Sequence, residues 1–272
     1  MGAVHGVYAK YVGLSVGSLG TFLCLKPEEV AHAELPLLCV LVSLLYASCL
    51  NAVIAALFRL ESCMGILGKD ESTGAVPAWS YVLFAPFHLP TFLYTAASRQ
   101  RDAVTGVSVA DEVAAGWWLG GRYASELRRQ WSGIIDLTCE FPERCAGSEG
   151  PGSYLLLRCW DGVPPTPQQL EEAASFALRR RPKGDVVVHC AHGRGRSTTV
   201  MCACLVKAGL FESWPEAFDA IRERRGCVKL NRRMRDALHQ WQAFHDRCGQ
   251  KRGISAGPSP EAAPAPRRRR YG

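Results

Sequence analysis

The chain has 272 residues, 12 cysteines and a formal net charge of +7. That length holds a membrane region plus one catalytic domain of about 130 to 150 residues, with little room for another. The cysteines are scattered instead of spaced as a disulfide framework, which excludes a secreted disulfide scaffold and points to a reducing environment.

The first hundred residues read as membrane. Leu35 to Phe58 carries no charged side chain and is long enough to cross a hydrocarbon core of about 30 Å. Val76 to Ser98 is a second uncharged stretch, but Pro86, His88 and Pro90 make it a kinked span or a re-entrant segment. Tyr11 to Leu25 is shorter and carries Gly13-x3-Gly17, a spacing that lets membrane helices pack closely. Successive long segments do not fit a cleaved leader, and Met1 to Gly6 lacks the Ser or Thr of a myristoylation motif. The expectation is a multi-pass integral membrane region at 1–100, with spans 11–25, 35–58 and 76–98. Arg99 and Arg101 follow the last apolar stretch, whereas the loop from Arg59 to Ala75 mixes both signs, and this puts the C-terminal domain on the cytosolic side.

Later elements alternate between strand and helix. Thr166 or Pro167 starts a helix running to about Arg180, with Leu170, Ala173, Ala174 and Ala177 or Leu178 on one face. Asp185 to Val188 is a β-branched run that reads as a buried strand, and Ser197 to Leu210 reads as a helix. Trp214 opens another helix, and Asn231 heads a last amphipathic one with Met234, Leu238, Trp241 and Phe244. The pattern implies an α/β fold with a mainly parallel sheet flanked by helices.

Between that strand and helix lies His189-Cys190-Ala191-His192-Gly193-Arg194-Gly195-Arg196-Ser197. Free N–H groups and the positive dipole end of a helix favour an anion, and a thiolate is one. Cys190 is therefore expected to ionise readily and to act as a nucleophile. Gly193 and Gly195 let the loop of Ala191, His192, Gly193, Arg194 and Gly195 turn its amides inward around phosphate oxygens. Arg196 supplies a planar fork for two of those oxygens, and Ser197 is placed to donate a hydrogen bond to the sulfur as it leaves.

This Cys-x5-Arg-Ser signature resembles that of the protein tyrosine phosphatases, in particular the dual-specificity branch, over roughly Gly116 to Cys248. The resemblance makes Trp118 to Arg122 the entry strand, Ile134 to Thr138 the second core strand and Tyr154 to Arg158 the next. It implies that His189 orders the loop and that Asp161, in Trp160-Asp161-Gly162, is the general acid. The residues agree with that role, since Gly162, Pro164 and Pro165 suit a loop closing over a cleft, although an ordinary loop carboxylate or helix cap is the plainer reading. Asn231 has two readings, a brace for the phosphate loop as in relatives or a helix cap. Asp136 and Glu140 read as packing or capping groups at a strand end. No Cys/His cluster stands at zinc spacing, so neither metal nor cofactor is expected.

The catalytic domain is thus expected at 112–248 and a disordered Pro/Arg-rich tail at 249–272. The expected activity is hydrolysis of phosphotyrosine and phosphoserine or phosphothreonine in proteins through a cysteinyl-phosphate. A phospholipid phosphatase acting on phosphoinositide or phosphatidylglycerophosphate is the close alternative, and a phosphate-binding membrane adaptor the second. His192 and Arg194 are expected to add positive potential around the pocket. The clusters Arg179 to Arg181, Arg222 to Arg225 and Arg232 to Arg235 read either as a surface for anionic lipid or as solvated helix faces. Nucleic acid is not an expected partner.

Overall fold

The structure, a computed structural model, describes residues 3–25, 35–145 and 152–255. Its sheet is built from β1 (Ala110–Ala114), β2 (Trp117–Gly121), β3 (Gly133–Thr138), β4 (Tyr154–Cys159) and β5 (Val186–Cys190), in the order β1-β2-β5-β3-β4. β2, β5, β3 and β4 run parallel, and β1 pairs antiparallel with β2 at the edge, so the sheet is mixed. The three consecutive valines of β5 suit a strand covered on both faces, and all five of its residues are buried at the centre of the sheet. Val186 and Val188 face one core while Val187 faces another, as the two-residue period of a strand requires.

The first of those cores lies under α5 (Pro167–Arg180), α6 (Arg196–Lys207), α7 (Trp214–Arg224) and α8 (Arg232–Ser255). α5 starts where a full capping box forms, with Thr166 accepting from the Gln169 N–H and Gln169 reaching back to the Thr166 N–H. It buries Leu170, Ala173, Ala174, Phe176 and Ala177, the expected face with Phe176 added. In α8, Met234, Leu238 and Trp241 are buried, whereas Phe244 is 49% exposed and does not join the core. α8 continues to Ser255. The rest of the expected tail, 256–272, lies outside the described residues.

The N-terminal part consists of α1 (Ala3–Cys24), α2 (Leu35–Leu60), α3 (Ala78–Leu83) and α4 (Ala85–Val104). Among the described residues, α2 is the one helix long and apolar enough to cross a membrane. α1 lies against it, and the Ser15 hydroxyl donates to the Ser48 carbonyl at 2.9 Å. Gly13 and Gly17 do not make that contact: a Cβ added at either would meet nothing within 4 Å. The contact face runs instead through Tyr8, Tyr11, Ser15 and Ser18, at helical spacing.

The stretch 76–98 is not one span. It breaks at Phe84, and Pro86 opens the second helix, where a missing N–H costs nothing. α4 then lies along the catalytic domain. Phe87 meets Trp160 edge-on, Arg99 pairs with Glu126, and Asp102 pairs with Arg194. The segment before it, 61–77, is docked as well. Lys69 is buried and donates to the Asp136 carboxylate, to the Thr138 carbonyl at 2.9 Å and to its hydroxyl at 3.0 Å. The loop compared for the charge-based orientation is thus packed on the C-terminal domain.

Candidate active site

The parallel register brings the ends of β2, β3 and β5 together, with Gly121 beside Cys190 and Asp136 beside His189. The chain leaves β5 at Cys190, turns through 191–195 and enters α6 at Arg196. The turn needs glycine at 193: its φ is +66°, and a Cβ would stand 2.4 Å from the Gly120 carbonyl carbon. The loop is also held from behind, where Arg225 donates to the Gly193 carbonyl at 2.9 Å and pairs with Asp111 at 2.6 Å. Arg225 is 3% exposed, so this member of the expected basic surface is a buried brace of the phosphate loop.

Cys190 is buried, with its sulfur 3.3 Å from the Ser197 hydroxyl. Burial works against the thiolate. It is outweighed by the Arg196 charge, the Ser197 hydroxyl and the N–H groups of Ser197 and Arg194, so the pKa is lowered. Arg196 is 1% exposed. It donates to Glu140 at 2.7 Å and to the carbonyls of Cys159 at 2.7 Å and Leu137 at 3.1 Å, and lies 3.4 Å from the Asp161 carboxylate. Its Nε is buried without a hydrogen-bond partner among the described residues. Glu140, a capping group in the sequence reading, is the main counter-charge that sets the guanidinium in place. Only the packing of β3 against the α6 N-terminus reveals this, because 56 positions separate the two in sequence.

Asp161 follows Trp160, which is fully buried between the two parts of the molecule. The Trp160 ring stacks on Phe58 with centroids 4.5 Å apart, and its N–H donates to the Ser62 carbonyl at 2.9 Å. The end of α2 therefore fixes the loop that carries Asp161. From the other side, Asn231 donates to the Gly162 carbonyl at 2.9 Å and accepts from the Met234 N–H at 2.9 Å. Asn231 thus caps α8 and braces the Asp161 loop, not the phosphate loop. The phosphate loop is joined to this region by the Lys229 N–H, which donates to the Arg194 carbonyl.

His189 points away from the loop and meets Glu143 at 2.7 Å. Burial alone would lower its pKa, but Glu143 and Asp136 raise it to about 9, so it is a cation at neutral pH. His192 behaves oppositely: burial lowers its pKa and it stays neutral. Arg194 is paired with Asp102. The expected positive potential from His192 and Arg194 is therefore largely absent, and the basic rim comes from Lys229, Arg232 and Arg235, which line the cavity over Cys190. Ligand-type atoms of Glu143, Cys145 and His189 also lie within 4.8 Å of one another. Burial pushes the Cys145 thiol pKa up, and the histidine and glutamate already satisfy each other, so this group reads as structural.

Residues 165–244 match the model of the dual specificity phosphatase catalytic domain. The matched segment holds Cys190, Arg196 and Asn231; Asp161 lies just before it. No curated protein matches the chain. Among solved structures, human DUSP28 is similar at 18% identity, over 51% of this chain and 96% of that one, with a TM-score of 0.45. PTPMT1 in complex with PI(5)P is similar at 24% identity, over 52% and 99%, with a TM-score of 0.43. Tk-PTP in its active form is similar at 23% identity, over 50% and 97%, with a TM-score of 0.44.

Proposed function

We propose that this chain hydrolyses phosphate monoesters through a cysteinyl-phosphate intermediate. The observation that carries the reading is the loop itself: a buried thiol with a lowered pKa at the end of β5, against the N-terminus of α6, whose first residue is a buried arginine six residues on. The phosphate lies against the loop amides and the Arg196 fork. The Cys190 thiolate attacks phosphorus, the P–O bond to the alcohol breaks, and the protonated Asp161 carboxyl gives its proton to the leaving oxygen. Asp161, now a carboxylate, takes a proton from water as the water oxygen bonds to phosphorus and the P–S bond breaks. The Ser197 hydroxyl stabilises the departing thiolate, and Arg196 holds the equatorial charge in both steps. Phosphoproteins and phospholipids are the two substrate classes this reaction admits, and a phosphate-binding adaptor is the other reading. The full chain under reducing conditions is expected to release phosphate from an aryl phosphate, and Cys190→Ser is expected to abolish that release. Activity persisting in Cys190→Ser would move the chemistry elsewhere.

We read α2 as a membrane anchor. Its outward side chains are apolar, with Leu35 73% and Val42 58% exposed.

A further inference from the structure

Two cavities meet at Asp161 and His192. One, of about 500 Å³, is the phosphate site, floored by Cys190 and Arg196 and rimmed by the basic side chains of the α8 end. The other, of about 390 Å³, shares Asp161 and His192 with it but is walled by the N-terminal helices, through Tyr11, Leu14, Phe58, Phe87, Pro90 and Tyr94. That volume is in the range that takes a small ligand. We infer that the second cavity receives the hydrocarbon part of the substrate, so that the ester cleaved is a phosphomonoester lipid. This inference rests on the catalytic reading above.

Three observations carry it. First, the shared residues make the cavities one bipartite cleft, and any group attached to a phosphate at Cys190 leaves past Asp161. Second, the wall offers an extended peptide few groups to bond with, because three of its four hydroxyls are already committed and the Lys10 ammonium sits over the Tyr94 ring, 3.6 Å from its centroid. Tyr11 and Thr91 bond each other at 3.0 Å, Thr91 donates to the Phe87 carbonyl at 2.7 Å, and Thr95 donates to the Thr91 carbonyl at 2.9 Å. A peptide backbone entering there would leave polar groups unpaired, whereas an acyl chain has none to pair. Third, the cavity is continuous with the apolar outer surface: Leu14 lines it and is also 37% exposed beside the outward side chains of α1. Phe58, at the end of the membrane-length helix, lines it too. A lipid leaving a bilayer along α1 and α2 would reach the acid with its chain still covered by apolar side chains.

The test uses the full chain in neutral detergent micelles with four substrates: dioleoyl phosphatidic acid, glycerol 3-phosphate as the same ester without acyl chains, a phosphotyrosine peptide and an aryl phosphate. One methylene in an apolar pocket discriminates by roughly tenfold or more. The lipid is therefore expected to exceed glycerol 3-phosphate in kcat/KM by on the order of a hundredfold, and also to exceed the peptide. Gly13 lines the cavity, and a Cβ there meets nothing within 4 Å, so the backbone leaves room to start a side chain and Gly13→Trp is the variant that fills the space. It is expected to lower the ratio of lipid to aryl phosphate kcat/KM on the order of tenfold, and Leu14→Glu, at a part-exposed position, to act in the same direction. Equal rates on lipid and glycerol 3-phosphate, or a peptide preference with a ratio unmoved by both variants, would overturn the inference. Failure of the aryl phosphate to turn over would sink the catalytic reading instead. The cavity would then be judged by binding of pyrene-labelled phosphatidic acid to Cys190→Ser: saturable binding lost in Gly13→Trp supports it, and binding indifferent to Gly13→Trp rejects it.

Discussion

The two parts of this molecule treat apolar side chains in opposite ways. After residue 105 the exposed large hydrophobics are Leu210 and Phe244 alone among the described residues; all the others, from Val12 to Val104, belong to the N-terminal helices. The catalytic part hides its leucines and valines against a sheet, at roughly 1.5–3 kcal/mol for each fully buried side chain. The N-terminal part turns many of them outward and buries Ser48, Asn51, His88 and Thr95 alongside Leu41, Ile54, Phe58 and Phe87. On the reading of α2 as a membrane anchor, a bilayer in place of water accounts for its outward apolar face. The seam between the two parts is where the difference becomes functional. There Phe58 stacks on Trp160, one residue before Asp161, and Lys69 closes on Asp136 beside the phosphate loop.

Breaking the seam should have the largest effect. Lys69→Met leaves the Asp136 carboxylate buried without its cation, and loss of one partner from a buried pair costs about 3–5 kcal/mol. Urea unfolding of the catalytic part is expected to shift accordingly, although Lys69 lies outside it in sequence. A midpoint unchanged from wild type would mean that the two parts fold independently. The solvent contrast is sharpened by Val42→Arg on the outward face of α2, where a charge costs about 2.5–3.5 kcal/mol in a membrane-spanning segment. Alkaline extraction of membranes should release this variant while the wild type stays in the pellet; equal release would mean that α2 does not anchor the chain.

On the catalytic side, Asp161→Asn is expected to slow an alkyl phosphate by about a hundredfold. An aryl phosphate, whose leaving oxygen needs the proton less, should slow far less. Equal loss on both would make the carboxylate a structural partner of Arg196. The smallest effect concerns pH. His189 is held at about 9, above its ordinary 6.5, so its pairing with Glu143 stabilises the fold fully below about 6.5 and is lost as pH rises through 9. Glu143 is held below its ordinary 4.5, so its share is present above about 4.5 and fades in acid. The wild type should lose a few degrees of Tm between pH 7 and 10 that a His189→Gln variant does not lose. Parallel curves for the two proteins would place the alkaline loss elsewhere.

Much of the active-site chemistry was legible in the chain because it is local. Cys190, Gly193, Gly195, Arg196 and Ser197 sit within one strand–loop–helix unit, so spacing alone sets their mutual geometry. The valine run of β5 and the Thr166-Pro167 start of α5 likewise declared their elements through short-range pattern. What lay outside such units was misread or undervalued. Glu140 read as a packing or capping group and Arg225 as part of a basic face until the fold set them against Arg196 and the Gly193 carbonyl. His192 and Arg194 looked cationic until burial and Asp102 changed their electrostatics. The 76–98 stretch looked like a span because uncharged composition is common to a bilayer helix and to a helix packed on another domain.

The sequence by itself determined the strand–loop–helix unit that carries Cys190 and Arg196 and the alternation that makes a parallel sheet, since each rests on residues a few positions apart. Only the tertiary structure decided which charges are buried, what holds the Asp161 loop and that an apolar cavity opens beside it. Those depend on side chains tens of positions apart meeting in space, and desolvation and pairing take their values only once that meeting is made.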